Sequence, residues 1–313
     1  MPNFEQASRA TLNLLLTALL AGLSTGCSIK RMAVNKIGDA LAGGGTTFAA
    51  DDDPELIKAA VPFSLKLMES LLNESPRHQG LLFATASGFT QYGYAFVQQE
   101  ADEMEEKDFA AATELRARAK RLYLRARNYG LRGLEASHRG FEQQLRADPK
   151  AAVRLARAAD VPLLYWTAAS WAAAISVSKD NPDLISELPI VEALMDRALA
   201  LNERFDDGAI HSFLITYEMS RQGGEGEPVA RSKQHFDRAM ELCRGGQAGP
   251  LVSYAEAVAM PNQDKAAFQE LLQRALAINP RTKPEWQLAN LVMQRRARWL
   301  LTHTDDLILT AEK

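Results

Sequence analysis

The sequence predicts an all-α chain of helical hairpins stacked in tandem. Three observations predict it. Apolar residues recur at three- and four-residue steps in the long segments, while sustained period-two alternation is absent. Prolines sit mostly between apolar runs, where they stop or start helices. A short word, an alanine beside a large apolar residue after a basic one, returns in LMDRALAL at 194–201, FDRAMEL at 236–242 and LQRALAI at 272–278.

The segment 268–286, FQELLQRALAINPRTKPEW, sets the register. Phe268, Leu271, Leu272, Ala275, Leu276 and Ile278 share one helical face. Asn279-Pro280 ends that helix, Lys283-Pro284-Glu285 begins the next, and Trp286 opens a new apolar face. A helix, a proline stop and an aromatic-led partner resemble the second helix and terminal proline of a tetratricopeptide (TPR) unit. The alanines of the repeated word, Ala198, Ala239 and Ala275, are spaced by 41 and 36 residues, near the TPR period of roughly 34 plus loop insertions. Ala126 in LYLRARNYGL is a weaker echo. The expected architecture is therefore a short α-solenoid of TPR-like hairpins.

Taken in order, residues 28–41 form a short amphipathic segment, and Gly43-Gly44-Gly45 reads as a flexible turn. No Lys-Ser/Thr follows it, so it is not a phosphate loop. Asp51-Asp52-Asp53 lacks calcium-loop spacing; Asp53 as N-cap and Pro54 in the first turn explain it. A helix at 56–72 is expected to bury Leu56, Phe63, Leu67, Met68, Leu71 and Leu72, with a bend at Pro62. After a turn at 73–78, a helix at 81–99 carries Phe83, Phe89, Tyr92, Tyr94 and Phe96. Residues 101–107 are acidic and read as an exposed junction. The long helix at 109–134 bears Arg116, Arg118, Arg121, Arg125, Arg127 and Arg132, a solvated or salt-bridged face opposite Tyr123, Leu124, Tyr129 and Leu131. Short helical turns at 141–145 and 151–158 precede Val161-Pro162. A small-residue helix at 163–177 surrounds Tyr165, Trp166 and Trp171. Helices follow at 190–201, 209–219, 229–242 and 251–260, with a turn at Asp206-Asp207-Gly208 and a glycine-rich loop at 222–228. The last helix spans about 286–301.

At 313 residues, 47% hydrophobic and 24% charged, the chain is globular rather than disordered, and a net charge of −3 offers no long-range pull on nucleic acid. Residues 10–23 are apolar apart from Thr11, Asn13, Thr17 and Gly22, shorter than a membrane span of ~20 residues and suited to a signal-peptide core. Leu23-Ser24-Thr25-Gly26-Cys27 then resembles a bacterial lipobox, in which Cys27 is lipidated and residues 1–26 are removed. The expected organisation is a lipoprotein signal peptide at 1–26, a lipidated N-terminus with a short helix and Gly-rich linker at 27–50, and an all-helical domain at 51–313. Cys243, the other of two cysteines, reads as a small core residue without a disulfide.

Catalytic signals are missing. The five histidines, His78, His138, His211, His235 and His303, form no metal-ligand spacing. The GxSxG match at 22–26 lies in the signal peptide, outside any strand-turn-helix setting. Glu218 and Glu256 fall on helices, but nothing sets them as an acid/base pair. No enzyme activity, cofactor or metal is expected. Residues that are aromatic or polar within apolar helices, namely Tyr165, Trp166, Trp171, His211, Tyr254 and Asn290, are the candidates for a ligand or partner surface on the concave side of the stack.

Longer words carry a family resemblance. IGDALAGGGTTFAADDDPELIKAAVPFSLKLMESLL at 37–72, LYLRARNYGLRGLE at 122–135, VPLLYWTAASWAAAIS at 161–176, GAIHSFLITYEMSR at 208–221, LQRALAINP at 272–280 and LANLVMQRRARWLL at 288–301 resemble the T component of the TPR-protein-associated TRAP transporters, the TatT lipoproteins. The resemblance covers nearly all of the mature chain. It implies a periplasm-facing lipoprotein of the bacterial envelope, anchored by its acyl group. It further implies a partner in the solute-binding (P) component, and self-association as a homo-oligomer, a trimer among the sizes open. The residues themselves leave an envelope scaffold, or a carrier of a hydrophobic small molecule, as the alternative.

Overall fold

A computed structural model describes residues 32–309 except Ala33 and Gly44. The signal-peptide reading and Cys27 lie outside the described residues. Among those residues every element is helical.

Helix α1 (Pro54–Glu74) begins as the sequence dictates. Asp53 Oδ1 accepts from the backbone N–H of Glu55 and Leu56 at 3.0 Å each, with Pro54 in the first turn. Helix α2 (Gln79–Gly93) runs through a π-turn at Tyr94–Gln98 into a last stretch, Gln99–Met104. Helix α3 (Phe109–Ser137) is the longest, capped by Asp108. Two short turns, Phe141–Ala147 and Pro149–Ala152, lead to α4 (Val161–Ser176) and α5 (Leu188–Leu201). The turn before α6 (Ala209–Tyr217) has positive φ at Asp206, Asp207 and Gly208. It is a left-handed corner that aspartate and glycine tolerate best. Helices α7 (Pro228–Leu242), α8 (Gly249–Tyr254, with a second π-turn at Ala255–Ala259), α9 (Lys265–Ala277) and α10 (Gln287–Thr302) complete the body. Between α9 and α10 the chain turns at Asn279-Pro280, where the Asn279 side chain accepts from Arg281 N at 3.0 Å, and restarts at Pro284.

Consecutive helices pack on one another, most extensively α3 between α2 and α4. The repeated alanines show why the word recurs: Ala126, Ala198, Ala239 and Ala275 are all fully buried, where a small side chain admits a neighbouring helix. One core joins α3, α4 and α5 around Trp171, Leu164 and Leu194, and a second joins α7 to α10 around Phe268 and Leu272. Helix α6 belongs to both, since Leu214 faces the first and the adjacent Ile215 the second. Cys243 is buried and free.

Several expectations are corrected. Leu56 and Phe63 are exposed, at 56% and 73%. The buried side of α1 is rotated from the expected one to Ile57, Leu65, Glu69 and Leu72. The cause is Glu69. Arg125 clamps both its oxygens, Tyr129 Oη donates at 2.8 Å and Lys66 Nζ at 2.7 Å, so a carboxylate occupies space that apolar counting assigns to leucine. The flexible turn expected at 43–45 is not seen at the two described glycines: Gly43 is helical, and Gly45–Ala49 forms a short helix packed beside Pro284–Trp286. The acidic segment 101–107 is not merely exposed. Ala101 is fully buried, and Asp102 and Glu105 bind Arg116.

The α3–α4 crossing is close. A Cβ on Gly130 would lie 2.1 Å from Thr167 Oγ1 and 3.3 Å from Thr167 Cα, and one on Gly133 would lie 2.6 Å from Leu163. Gly130→Ala is therefore expected to lose about 1–3 kcal/mol of unfolding free energy through overpacking. Gly43→Ala, with nothing within 4 Å of its Cβ, should be neutral or slightly stabilising. Urea unfolding of both variants measures the contrast, and equal effects would overturn the account.

Candidate functional site

The two π-turns come from distant parts of the chain and meet through α10. A π-turn inserts one residue into a helix and redirects the side chains beyond it, which is why such turns gather at functional positions. From the first turn comes Tyr94, and from the stretch after it Gln99, Asp102 and Glu103. The second turn contributes Glu256. Helix α10 brings Met293, Arg295 and Arg296 between them. Arg296 holds Glu256 Oε1 at 2.7 and 3.0 Å and lies 3.9 Å from Asp102. Arg295 holds Glu103 at 2.7 Å, and Tyr94 Oη reaches Met293 Sδ at 3.8 Å. This polar seam joins the C-terminal helix to the N-terminal hairpin.

The seam combines an open edge at Tyr94 with buried polar groups behind it. Tyr94 keeps 37% of its surface open, yet burial, with the Glu256 charge, pushes its phenol up to about 12. Burial also raises the Glu256 carboxyl, against the pull of Arg296. Gln99 is 1% exposed, and neither atom of its amide finds a hydrogen-bond partner among the described residues. Glu103 Oε1 and Arg296 Nη1 are likewise buried without one. Such groups can receive a polar ligand group or a bridging water. They are not arranged for acid/base chemistry, because Glu256 is committed to Arg296 and Glu218 to Arg221 and Arg231, at 3.0 and 2.6 Å. Among the described residues no His, Cys, Asp and Glu cluster could hold a metal.

The six sequence candidates do not converge on the seam. Tyr165 and Trp166 are half-buried and packed edge to face, 5.0 Å between centroids, with Phe205 5.3 Å from Tyr165. Burial and then Asp206 raise the Tyr165 phenol well above its ordinary value. Trp171 is fully buried. Its indole donates to Glu187 at 2.8 Å, and Arg127 lies 4.7 Å over its ring. Asn290, also buried, accepts from Ala248 N at 2.8 Å and donates to Gly246 O at 3.0 Å, tying the start of α8 to α10. Tyr254 packs on Phe236 at 4.7 Å. His211 Nδ1 faces His235 Nδ1 at 2.8 Å, and its Nε2 lies 3.5 Å from Glu203. The seam residues Tyr94, Gln99, Arg295 and Arg296 escaped sequence reasoning, because Tyr94 meets Met293 and Arg295 meets Glu103 across nearly two hundred residues, and nothing local marks Gln99 or the Arg296–Glu256 pair. The inserted residue of each π-turn was the signal that a strict 3.6-residue register discards.

Two measurements probe these contacts. Glu256→Gln should cost about 1–3 kcal/mol by leaving the buried Arg296 with only the more distant Asp102 as counter-charge, and Glu256→Met with Arg296→Met should recover much of the loss. Additive double-mutant behaviour in urea unfolding would refute the coupling. Burial lowers both paired imidazoles from their ordinary 6.5, for His211 against the Glu203 charge and for His235 with the His211 charge adding. The folded chain then binds fewer protons than the unfolded one once pH falls below about 6.5, so stability should drop across that window. His235→Gln should flatten the drop between pH 7.5 and 5.5; an unchanged slope would contradict it.

Among the described residues no helix is long and apolar enough to cross a membrane. An uncharacterized protein of Treponema pallidum (strain Nichols) is 29% identical over 306 residues, which span 92% of this chain and 94% of that protein. Residues 50–308, nearly the whole helical body from just before the Asp53 cap to the turn after α10, match the family described as TRAP transporter T-component. The chain belongs to the TRAP transporter T-component family.

Proposed function

We propose that the protein is a non-enzymatic, periplasm-facing adaptor of a TRAP-type transporter, anchored through a lipidated Cys27 and docking the solute-binding component. The observation that carries this reading is the match of residues 50–308 to the T-component family. An all-helical body supports it, because stacked helices offer extended surfaces to a partner. The absence of a spanning helix among the described residues is compatible with tethering by an acyl group. The domain division at 26/27 and 50/51, a TPR-like construction and self-association belong to the same proposal.

A second reading, a carrier of a hydrophobic small molecule, is favoured by one observation. Tyr94 is 37% exposed at the seam, where the buried Gln99 amide has no hydrogen-bond partner among the described residues. An open amphipathic ring beside an unsatisfied polar group suits an apolar ligand with a polar end.

Affinity purification from detergent-solubilised envelope, read by native mass spectrometry, separates the two. The adaptor reading expects a solute-binding protein in fixed ratio with this chain. The carrier reading expects a small-molecule mass adduct without it. Recovery of the chain alone, without adduct, would overturn both.

A further inference from the structure

The turn between α1 and α2 and the C-terminal end of α3 enclose a surface recess of about 580 Å³ lined by Pro76, Arg77, Arg132, Glu135, Ala136 and Arg139. Three arginines share it with one carboxylate. That carboxylate is engaged, since Glu135 accepts from Gly140 N at 2.7 Å and Glu142 N at 3.2 Å. Those bonds, led by the one from Gly140, hold its carboxyl below the usual range. Among the described residues none of the three arginines has an ion-pair partner within 4 Å. This contrasts with Arg116, Arg125 and Arg127 on the same α3, which all do. Arg77 spends one Nη on Ala136 O at 3.1 Å, and Arg132 one Nη on Pro76 O at 3.2 Å. These bonds seat the two side chains at the rim and leave the rest of each guanidinium fork open. The α3 C-terminus attracts positive charge by its dipole, but Arg139 lies beyond the helix end and makes no hydrogen bond or ion pair among the described residues.

The position of the recess says what meets it. Ser75 Oγ donates to Asn35 Oδ1 at 2.7 Å, and His78 Nε2 lies 3.1 Å from Asn35 O. The helical segment 34–43 is thus fastened on both sides of Pro76 and Arg77. Asn35 is eight residues after Cys27. Eight residues span at most about 28 Å, so an acyl group on Cys27 keeps this end of the body within that reach of the bilayer. The geometry points to a binding site for the phosphate headgroup of an anionic lipid, formed by Arg77, Arg132 and Arg139, that orients the tethered body with this end against the membrane. Guanidinium forks match phosphate oxygens in pairs, and basic groups at a membrane surface add attraction residue by residue. The lipid as source of the phosphate rests on the anchored reading above; the anion-binding chemistry does not.

The test uses the full processed chain purified from envelope in neutral detergent and titrated calorimetrically with dihexanoyl phosphatidylglycerol and, separately, with inorganic phosphate. Arg77→Gln with Arg139→Gln, both exposed side chains, should weaken phosphatidylglycerol binding roughly tenfold or more. Arg121→Gln, an equally exposed arginine elsewhere on α3, should leave it unchanged. Arg77→Lys with Arg139→Lys, which keeps the charge without the fork, should fall between. An equal loss in Arg121→Gln, or no loss in the double Gln variant, would overturn the site. Inorganic phosphate bound as tightly as the phospholipid would overturn the lipid as ligand. The intact mass reports acylation of Cys27 independently. An acylated chain that ignores phosphatidylglycerol defeats the recess alone, and an unacylated chain that binds it defeats the anchor alone.

Discussion

The close crossing of α3 and α4 is the constraint on which the rest of the structure depends. Gly130 and Gly133 present bare backbone to Thr167 and Leu163, and an added Cβ at Gly130 would press on Thr167 at 2.1 Å from Oγ1 and 3.3 Å from Cα. Around that crossing the bulky groups find fixed places. Trp171 fills the space beside it, its indole N–H is taken by Glu187, and the Arg127 guanidinium covers its ring. Helix α3 then reaches outward in both directions. Tyr123 and Ala126 face α2, Arg125 and Tyr129 clamp Glu69 of α1, and the C-terminal end carries the arginine recess. A shift at the crossing would propagate to each of these contacts because packed interiors transmit strain.

The second organising feature is the return of the chain on itself. Stacked hairpins need only touch their neighbours in sequence, yet α10 brings Arg295 to Glu103 and Met293 to Tyr94. Arg281 likewise reaches Asp52 at 3.0 Å. The seam is polar where it is deepest. Buried ion pairs contribute little net stability against apolar packing, but they punish mismatch strongly, so such a seam selects one arrangement of the two ends. The two π-turns widen the helices where this arrangement is made.

Much of the fold was legible. The helix start at Asp53-Pro54, the stop at Asn279-Pro280 and the turn at Asp206-Asp207-Gly208 follow from local chemistry and are where the sequence places them. The buried face of α1 was misread at Leu56 and Phe63, because hydrophobicity alone cannot know that Glu69 is satisfied by Arg125 and Tyr129. The candidate site was hardly legible. Among the residues singled out, Trp171 and Asn290 do interior work, holding Glu187 and the start of α8. The seam is built from side chains that look ordinary until their partners arrive.

By itself the sequence determined the helical class, the punctuation of the helices, the small-residue positions at which they cross and the family to which the chain belongs. Each is carried by neighbours within a turn or two, or by words long enough to be specific. Tertiary structure decided which face of each helix turned inward, that the last helix joins the first hairpin, and that Arg77, Arg132 and Arg139 gather around one recess. Those outcomes depend on charges and shapes brought together from remote segments, and no local pattern encodes a distance in space.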